Sequence, residues 1–131
     1  MKRYVFDTSA LLRLYVADGP LVPGAEEALD AAWRGDAVLH VPELLFAEVA
    51  QVLLKKQRAA LLSNEEAQAI LTEVLRLPLQ VTGHRDLVDQ AVALAEARKL
   101  TVYDALFLAL AQQHAAELLT ADELLGRAIA G

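Results

Sequence analysis

The stretch Val5-Phe6-Asp7-Thr8-Ser9-Ala10-Leu11 decides the fold, because a short apolar strand passes there directly into a helix. The strand is predicted from Arg3 to Phe6 and ends at Asp7. Thr8 or Ser9 can cap the helix that follows. A strand that feeds a helix in this way is the first half of a unit that builds parallel sheets.

The rest of the chain alternates helices and short strands in the same manner. Strands are predicted at 3–6, 37–41, 77–81 and 117–120, and helices at 8–16, 25–34, 42–58, 63–76, 86–98, 104–114 and 122–130. Ser63 and Glu66 have the spacing of a capping box at the start of one of these helices. Strands separated by helices predict an α/β fold, with a central, mostly parallel sheet of about four to five short strands flanked by helices. We found no linker that would divide the chain, so residues 1–131 are expected to form a single domain.

Composition excludes several classes of protein. The chain has no cysteine, so it has no disulfide and no thiolate metal site. Lys2 and Arg3 are followed by too few apolar residues for a signal peptide, and the run Ala105 to Ala111 is too short to span a bilayer. We therefore expect a cytoplasmic protein with no membrane association. The high apolar content, 56 %, indicates that additional surface is buried in a dimer or against a partner.

The net charge of −6 argues at first against a nucleic acid partner, because a phosphate backbone favours a basic surface. The balance changes if four of the acids bind metal. Removing these four from 18 acidic residues leaves 14 against 12 basic ones, a net charge of −2. Charge therefore weakens a nuclease hypothesis without excluding it.

Four acids occupy positions at which a ligand is expected in a parallel α/β sheet. Asp7 and Asp122 follow the first and last strands, where ligands bind beyond the carboxyl ends. Asp104 opens an apolar helix, and Glu48 lies within a helix among apolar neighbours with no basic residue one turn away. A buried carboxylate is costly unless it is hydrogen-bonded, paired or bound to metal.

Asp7, Asp104 and Asp122 also have an ordinary structural interpretation as a helix cap, a turn residue or a partner of the helix dipole. Together with Glu48 they form a set of hard oxygen donors, which suits Mg²⁺ or Mn²⁺ rather than zinc. The three histidines, His40, His84 and His114, do not have the spacing of a ligand set and are interpreted as structural or surface residues.

Four segments containing these acids resemble the motifs of PIN-domain proteins, especially the VapC-type toxins of toxin–antitoxin pairs. They are Val5-Phe6-Asp7-Thr8-Ser9-Ala10-Leu11, Pro42-Glu43-Leu44-Leu45-Phe46-Ala47-Glu48-Val49, Leu100-Thr101-Val102-Tyr103-Asp104-Ala105-Leu106-Phe107-Leu108-Ala109-Leu110-Ala111 and Leu119-Thr120-Ala121-Asp122. Each motif is weak alone, but all four occur in order and span the chain.

The resemblance implies a metal-dependent ribonuclease with a PIN fold. It implies that Asp7, Glu48, Asp104 and Asp122 are catalytic and bind one or two Mg²⁺ or Mn²⁺ ions. It also implies a homodimer, an RNA substrate and a cognate antitoxin that blocks the active site. The hydroxyls of Thr8, Ser9 and Thr120 stand where the family places polar groups that support the acids.

Candidates for contacts with substrate phosphates are few. Lys55 lies two helical turns after Glu48, with Lys56 beside it, and Arg13 follows Asp7 on the first helix. The lysines also suit the ordinary role of cations at a helix C-terminus.

Three alternatives remain open. A haloacid-dehalogenase-like phosphatase usually needs a second acid two residues after the first strand's Asp, where this chain has Ser9. A phosphorylated receiver domain would place its Asp after the third strand, and none is found there. The third alternative is a catalytically silent PIN-like binding or assembly module.

Overall fold

A parallel sheet of four strands forms the centre of the fold in the residues that the structure describes. The computed structural model describes residues 1–130, and Gly131, the last residue of the predicted 1–131 domain, lies outside them. The strands are β1 (Lys2–Phe6), β2 (Ala37–Pro42), β3 (Leu79–Thr82) and β4 (Glu117–Leu119). They are arranged in the order β3-β2-β1-β4, and all three pairings are parallel. The predicted parallel α/β architecture is confirmed.

Seven helices connect and cover these strands within residues 1–130. They are α1 (Thr8–Leu12), α2 (Ala25–Trp33), α3 (Leu44–Arg58), α4 (Asn64–Arg76), α5 (Val88–Arg98), α6 (Val102–His114) and α7 (Glu123–Ala130), and a short 3₁₀ turn spans His84–Asp86. In this part of the chain, none of the helices combines the length and the apolarity needed to cross a bilayer.

The core lies on both faces of the sheet and includes helix α6. Val5 and Phe6 of β1 are fully buried, as are Leu39 and Val41 of β2. Every residue of α6 from 105 to 111 is buried, which is why this helix is apolar all round rather than amphipathic. The two central strands β1 and β2 both pack against it. This arrangement fixes the carboxyl end of β1 relative to the start of α6.

The boundaries of α1, which follows β1, and of α6, which follows α5, differ from the predicted ones. The N-cap of α1 is Asp7, not Thr8 or Ser9, because its carboxylate accepts a hydrogen bond from the Ala10 backbone N–H at 2.8 Å. This helix ends at Leu12, four residues earlier than predicted, and gives way to turns. Helix α6 begins at Val102 instead of Asp104. Thr101 caps this helix by accepting a hydrogen bond from the Asp104 N–H at 3.1 Å.

Smaller differences have equally local causes. Strand β3 begins at Leu79, after Pro78, which has no N–H to donate to a ladder. The segment before α5 forms the 3₁₀ turn, so the helix starts two residues later than predicted. The capping box of Ser63 and Glu66 is confirmed, with both of its reciprocal hydrogen bonds present.

A pair of stacked histidine rings lies between β2 and the C-terminal end of α6. The rings of His40 and His114 are 3.9 Å apart and nearly parallel. His40 is only 1 % exposed, and its Nε2 lies 3.0 Å from Nη1 of Arg3. A guanidinium can only donate, so Nε2 accepts and the imidazole is neutral. Burial, together with the neighbouring His114 and Arg3, lowers the pKa of His40 to about 4. These two histidines are structural, as the sequence indicated.

Folding stability is expected to fall in acid because of His40. Its pKa lies at 6.5 in the unfolded chain and at about 4 in the fold, which corresponds to about 3 kcal/mol. This stability is fully present above pH 6.5, where both states are neutral, and is lost as the pH falls toward 4. The measurement is urea unfolding between these pH values. His40→Phe keeps an aromatic ring beside His114 without titrating, and should show a shallower decline than the wild type.

The matched control for this experiment is His84→Gln. His84 is exposed, and its loss should leave the decline of the wild type unchanged. Equal slopes for the wild type and His40→Phe would show that His40 does not carry the acid sensitivity.

Candidate active site

Asp7, Glu48, Asp104 and Asp122 line one cleft at the carboxyl end of the central strands. The cleft has a volume of about 350 Å³. Its remaining lining residues are Thr8, Ser9, Leu12, Arg13, Asp18, Val52 and Phe107. The structure thus brings together four acids that are separated by as much as 115 positions in the sequence, from residue 7 to residue 122.

Four different elements position these acids. Asp7 follows β1, and its N–H donates to the carbonyl of Leu119, so the ends of β1 and β4 are joined there. Asp122 stands just beyond β4 and caps α7 by accepting from the Leu125 N–H at 3.1 Å. Glu48 comes from the second turn of α3, and Asp104 from the first turn of α6. Because neighbouring parallel strands end at the same edge, their following residues must meet.

Three hydroxyl groups hold the carboxylates in place. Ser9 Oγ donates to Asp7 Oδ1 at 2.7 Å, and Thr120 Oγ1 donates to Asp7 Oδ2. Thr8 Oγ1 donates to Glu48 Oε1 at 2.7 Å. These are the three hydroxyls that the sequence singled out. Each of them contacts an acid directly, so the orientation of Asp7 and Glu48 is set by the fold.

The hydroxyls of Ser9 and Thr120 also bind the backbone after β4. Ser9 Oγ accepts from the Ala121 N–H at 3.0 Å, and Thr120 Oγ1 accepts from the Asp122 N–H at 2.9 Å. The two groups therefore tie the segment that carries Asp122 to the segment that carries Asp7.

Burial makes the charged form of three of these acids unfavourable. It raises the pKa of Asp7, against the opposing effect of hydrogen bonds from Thr120, Ala10 and Ser9. The pKa of Glu48 is raised by burial and further by the charges of Asp104 and Asp7. The pKa of Asp104 is raised by burial and by Asp122. Closely spaced carboxylates in a sheltered cleft provide a favourable environment for a cation.

The donor set fits a hard divalent cation in its chemistry. Mg²⁺ and Mn²⁺ prefer carboxylate oxygen, and no sulfur or imidazole lines the cleft in the described part of the chain. Within residues 1–130, however, no three His, Cys, Asp or Glu side chains stand close enough to form a ready metal cage.

The sequence did not single out Asp18, a fifth carboxylate on the cleft. Its setting, Asp18-Gly19-Pro20, reads as an ordinary turn, and no local pattern indicated that the loop returns to the site. Asp18 Oδ1 accepts from Lys56 Nζ at 2.7 Å. Lys56 is therefore engaged with Asp18, and neither it nor the exposed Lys55 lines the cleft. Among the predicted phosphate contacts, the structure places only Arg13 there.

Comparison with known sequences identifies the class of protein to which this fold and cleft belong. The sequence model of the PIN domain matches residues 4–129. The chain belongs to the PIN domain family. The resemblance found in the four motifs is thereby confirmed.

Particular relatives support the same assignment. The chain is 36 % identical over 125 residues to Ribonuclease VapC3 of Pyrobaculum aerophilum, with 94 % of this chain and 92 % of the relative covered. A crystal structure of PAE2754 from Pyrobaculum aerophilum has a similar fold, with a TM-score of 0.74, 24 % identity, and 97 % and 79 % of the two chains covered. A toxin–antitoxin complex from Klebsiella pneumoniae matches with a TM-score of 0.53 and 25 % identity, covering 88 % of this chain and 82 % of that one.

Replacing Asp104 by Asn is expected to stabilise the protein in EDTA at pH 7. Because the folded-state pKa of Asp104 is raised, its stability contribution is present below its ordinary pKa of 3.8 and is lost as the pH rises through the folded value. An amide avoids that loss. The difference in thermal midpoint between Asp104→Asn and the wild type should therefore shrink as the pH falls toward 3.8.

Asp30→Asn is the control, since Asp30 is exposed on α2 and should give no such gain. A lower midpoint for Asp104→Asn at pH 7 would mean that the Asp104 charge stabilises the start of α6 more than burial and repulsion oppose it.

Proposed function

We propose that the protein is a divalent-metal-dependent endoribonuclease and the toxin of a type II toxin–antitoxin pair. The observation that carries this proposal is the convergence of Asp7, Glu48, Asp104 and Asp122 on one cleft in a PIN fold. Support comes from the relative named Ribonuclease VapC3, which matches over nearly its whole length. The alternative is a silent PIN-like binding module, and the presence of all four acids argues against it.

The four acids are proposed to hold one or two Mg²⁺ or Mn²⁺ ions. When bound, such an ion makes a coordinated water acidic enough to attack at neutral pH and neutralises charge on the phosphate. The donor chemistry of the cleft and the raised pKa values of its carboxyls support this role.

The residues of the chain itself have distinct proposed tasks. Ser9 and Thr120 orient the two oxygens of Asp7, and Thr8 orients Glu48, so the direction of their remaining lone pairs is fixed. Thr8 engages only Oε1 of Glu48, which leaves Oε2 able to accept a proton from an attacking water. Arg13 supplies positive charge for a phosphate oxygen.

The partners proposed are an RNA substrate, a cognate antitoxin and a second copy of the chain. The toxin–antitoxin complex from Klebsiella pneumoniae supports the antitoxin. An apolar content of 56 % supports a homodimer. We further propose that residues 1–131 act as one domain in the cytoplasm.

Purified protein is expected to cleave a mixed RNA pool in Mg²⁺ or Mn²⁺ and to lose this activity in EDTA. Asp7→Asn should reduce the rate by more than about 100-fold, because even groups that only support metal ligands are worth about 10- to 100-fold. Gel analysis of the RNA over time is the measurement. Asp30→Asn removes an equal charge from the surface of α2 and should cleave like the wild type.

Measuring metal binding together with RNA cleavage distinguishes the nuclease hypothesis from the silent binding module. Mn²⁺ should raise the thermal midpoint of the wild type but not of Asp7→Asn, since a ligand that binds only the folded state stabilises it. A wild type that is stabilised by Mn²⁺ yet cleaves none of the pooled RNA would favour the binding module.

Expression of the wild type in a bacterial host is expected to arrest growth, whereas Asp7→Asn at an equal protein level should not. Growth curves with immunoblotting of both proteins test this. Unimpaired growth with the wild type, combined with RNA cleavage in the purified protein, would reject the toxin assignment while leaving the nuclease intact.

A further inference from the structure

Arg13 is the one cation among the cleft-lining residues of the described chain, facing five carboxylates there. It follows helix α1 directly and lies six residues after Asp7. A phosphodiester approaching this cleft is repelled by the carboxylates, so the position of the single guanidinium has a large effect on binding.

The guanidinium of Arg13 does not pair with the acids around it. None of the ion pairs found within residues 1–130 includes Arg13, although all five carboxylates share its cleft. Its Nη1 donates instead to the backbone carbonyl of Pro20 at 3.1 Å. A guanidinium carries five N–H donors in a planar fork, so donors remain for an anion.

Gly19 provides the space in which this guanidinium lies. A Cβ at position 19 would stand 2.5 Å from Nη1, 2.8 Å from Cζ and 3.1 Å from Nη2 of Arg13. A side chain at position 19 would therefore require the Arg13 guanidinium to move. The backbone of Gly19 is not in the left-handed region, in contrast to Gly24 and Gly35. Glycine at this position therefore permits the observed position of the guanidinium, and the backbone conformation does not require it.

The loop that carries Gly19 is anchored to helix α3. Asp18, the preceding residue, accepts from Lys56 Nζ at 2.7 Å, and the Lys56 side chain is only 15 % exposed. Helix α3 also carries Glu48. The surface beneath the Arg13 guanidinium is thus tied to an element that contributes directly to the cleft.

We propose that the segment Asp18-Gly19-Pro20 is a positioning device that holds the Arg13 guanidinium at the cleft as the binding group for a phosphodiester of the RNA substrate. This inference rests on the proposed ribonuclease function. Gly19 supplies the flat contact surface, Pro20 the carbonyl that fixes Nη1, and Asp18 the anchor to α3. The remaining N–H groups of Arg13 then bind phosphate oxygens in the forked geometry that guanidinium favours.

Gly19→Ala is the central test, because it displaces the guanidinium without removing any charge. The atoms that its methyl group meets are the far end of a flexible side chain, so the urea midpoint should stay that of the wild type. We expect kcat/KM for RNA cleavage to fall by about 10- to 100-fold, the value of one charge-assisted contact, mostly through KM. Gly83→Ala is the matched control, since a Cβ there makes only an ordinary contact of 3.7 Å and its φ of −75° suits alanine.

A double-mutant cycle separates positioning from general damage to the loop. Arg13→Gln should weaken cleavage at least as much as Gly19→Ala, and the double variant should be no worse than Arg13→Gln alone. Additive losses would show that Gly19 acts independently of Arg13 and would overturn the proposal. Arg13→Lys should remain impaired, because an ammonium lacks the fork.

Binding gives a readout that does not depend on cleavage. Anisotropy of a labelled single-stranded RNA pool in Ca²⁺ should show weaker binding for Gly19→Ala and for Arg13→Gln, and unchanged binding for Gly83→Ala. If the wild type does not cleave RNA but these differences in binding appear, the nuclease proposal fails and the positioning role stands. Equal binding and equal cleavage by the wild type and Gly19→Ala would reject the positioning role alone.

Discussion

The burial of a carboxylate at the end of the central strand is the constraint on which the rest of the structure depends. Asp7 is 6 % exposed, and a charged group in that position must be surrounded by donors. Ser9, Ala10 and Thr120 provide them, and they come from both sides of the β1–β4 junction. The same hydrogen bonds cap α1 and join the two strand ends. One side chain thus shapes both the fold and the cleft.

The buried carboxylates of the cleft make an unfavourable contribution to the free energy of folding. Burial and mutual repulsion raise the pKa values of Asp7, Glu48 and Asp104, so at neutral pH their negative charges oppose folding. The continuous buried face of α6 against β1 and β2 offsets this effect, since apolar burial contributes about 25 cal/mol for each Å² removed from water. The apolar helix α6 therefore supports the cleft directly, because Asp104 lies in its first turn.

Much of this arrangement could be predicted from local patterns. Alternating apolar strands and helices gave the parallel sheet, and Asp7 and Asp122 were recognisable because they follow strands. Boundaries were predicted less well where a cap decides them. Asp7 was interpreted as a strand-end acid and the apolar helix was predicted to begin at Asp104, although Asp7 and Thr101 are the N-caps of α1 and α6. Asp18 was missed because its pairing with Lys56 joins residues 38 positions apart, which no local pattern shows.

The distribution of the acids over four elements also has a consequence for the folding of the chain. Contacts such as that between Thr120 and Asp7 span 113 positions, and closing a loop of that length carries an entropic cost that only the complete sheet can offset. Folding dominated by such distant contacts is slow and highly cooperative. The cleft is complete only when β4 and α6 have joined the sheet, because β1 and α3 bring together Asp7 and Glu48 but lack Asp104 and Asp122. An incompletely folded chain therefore lacks part of the set of acids that lines the cleft.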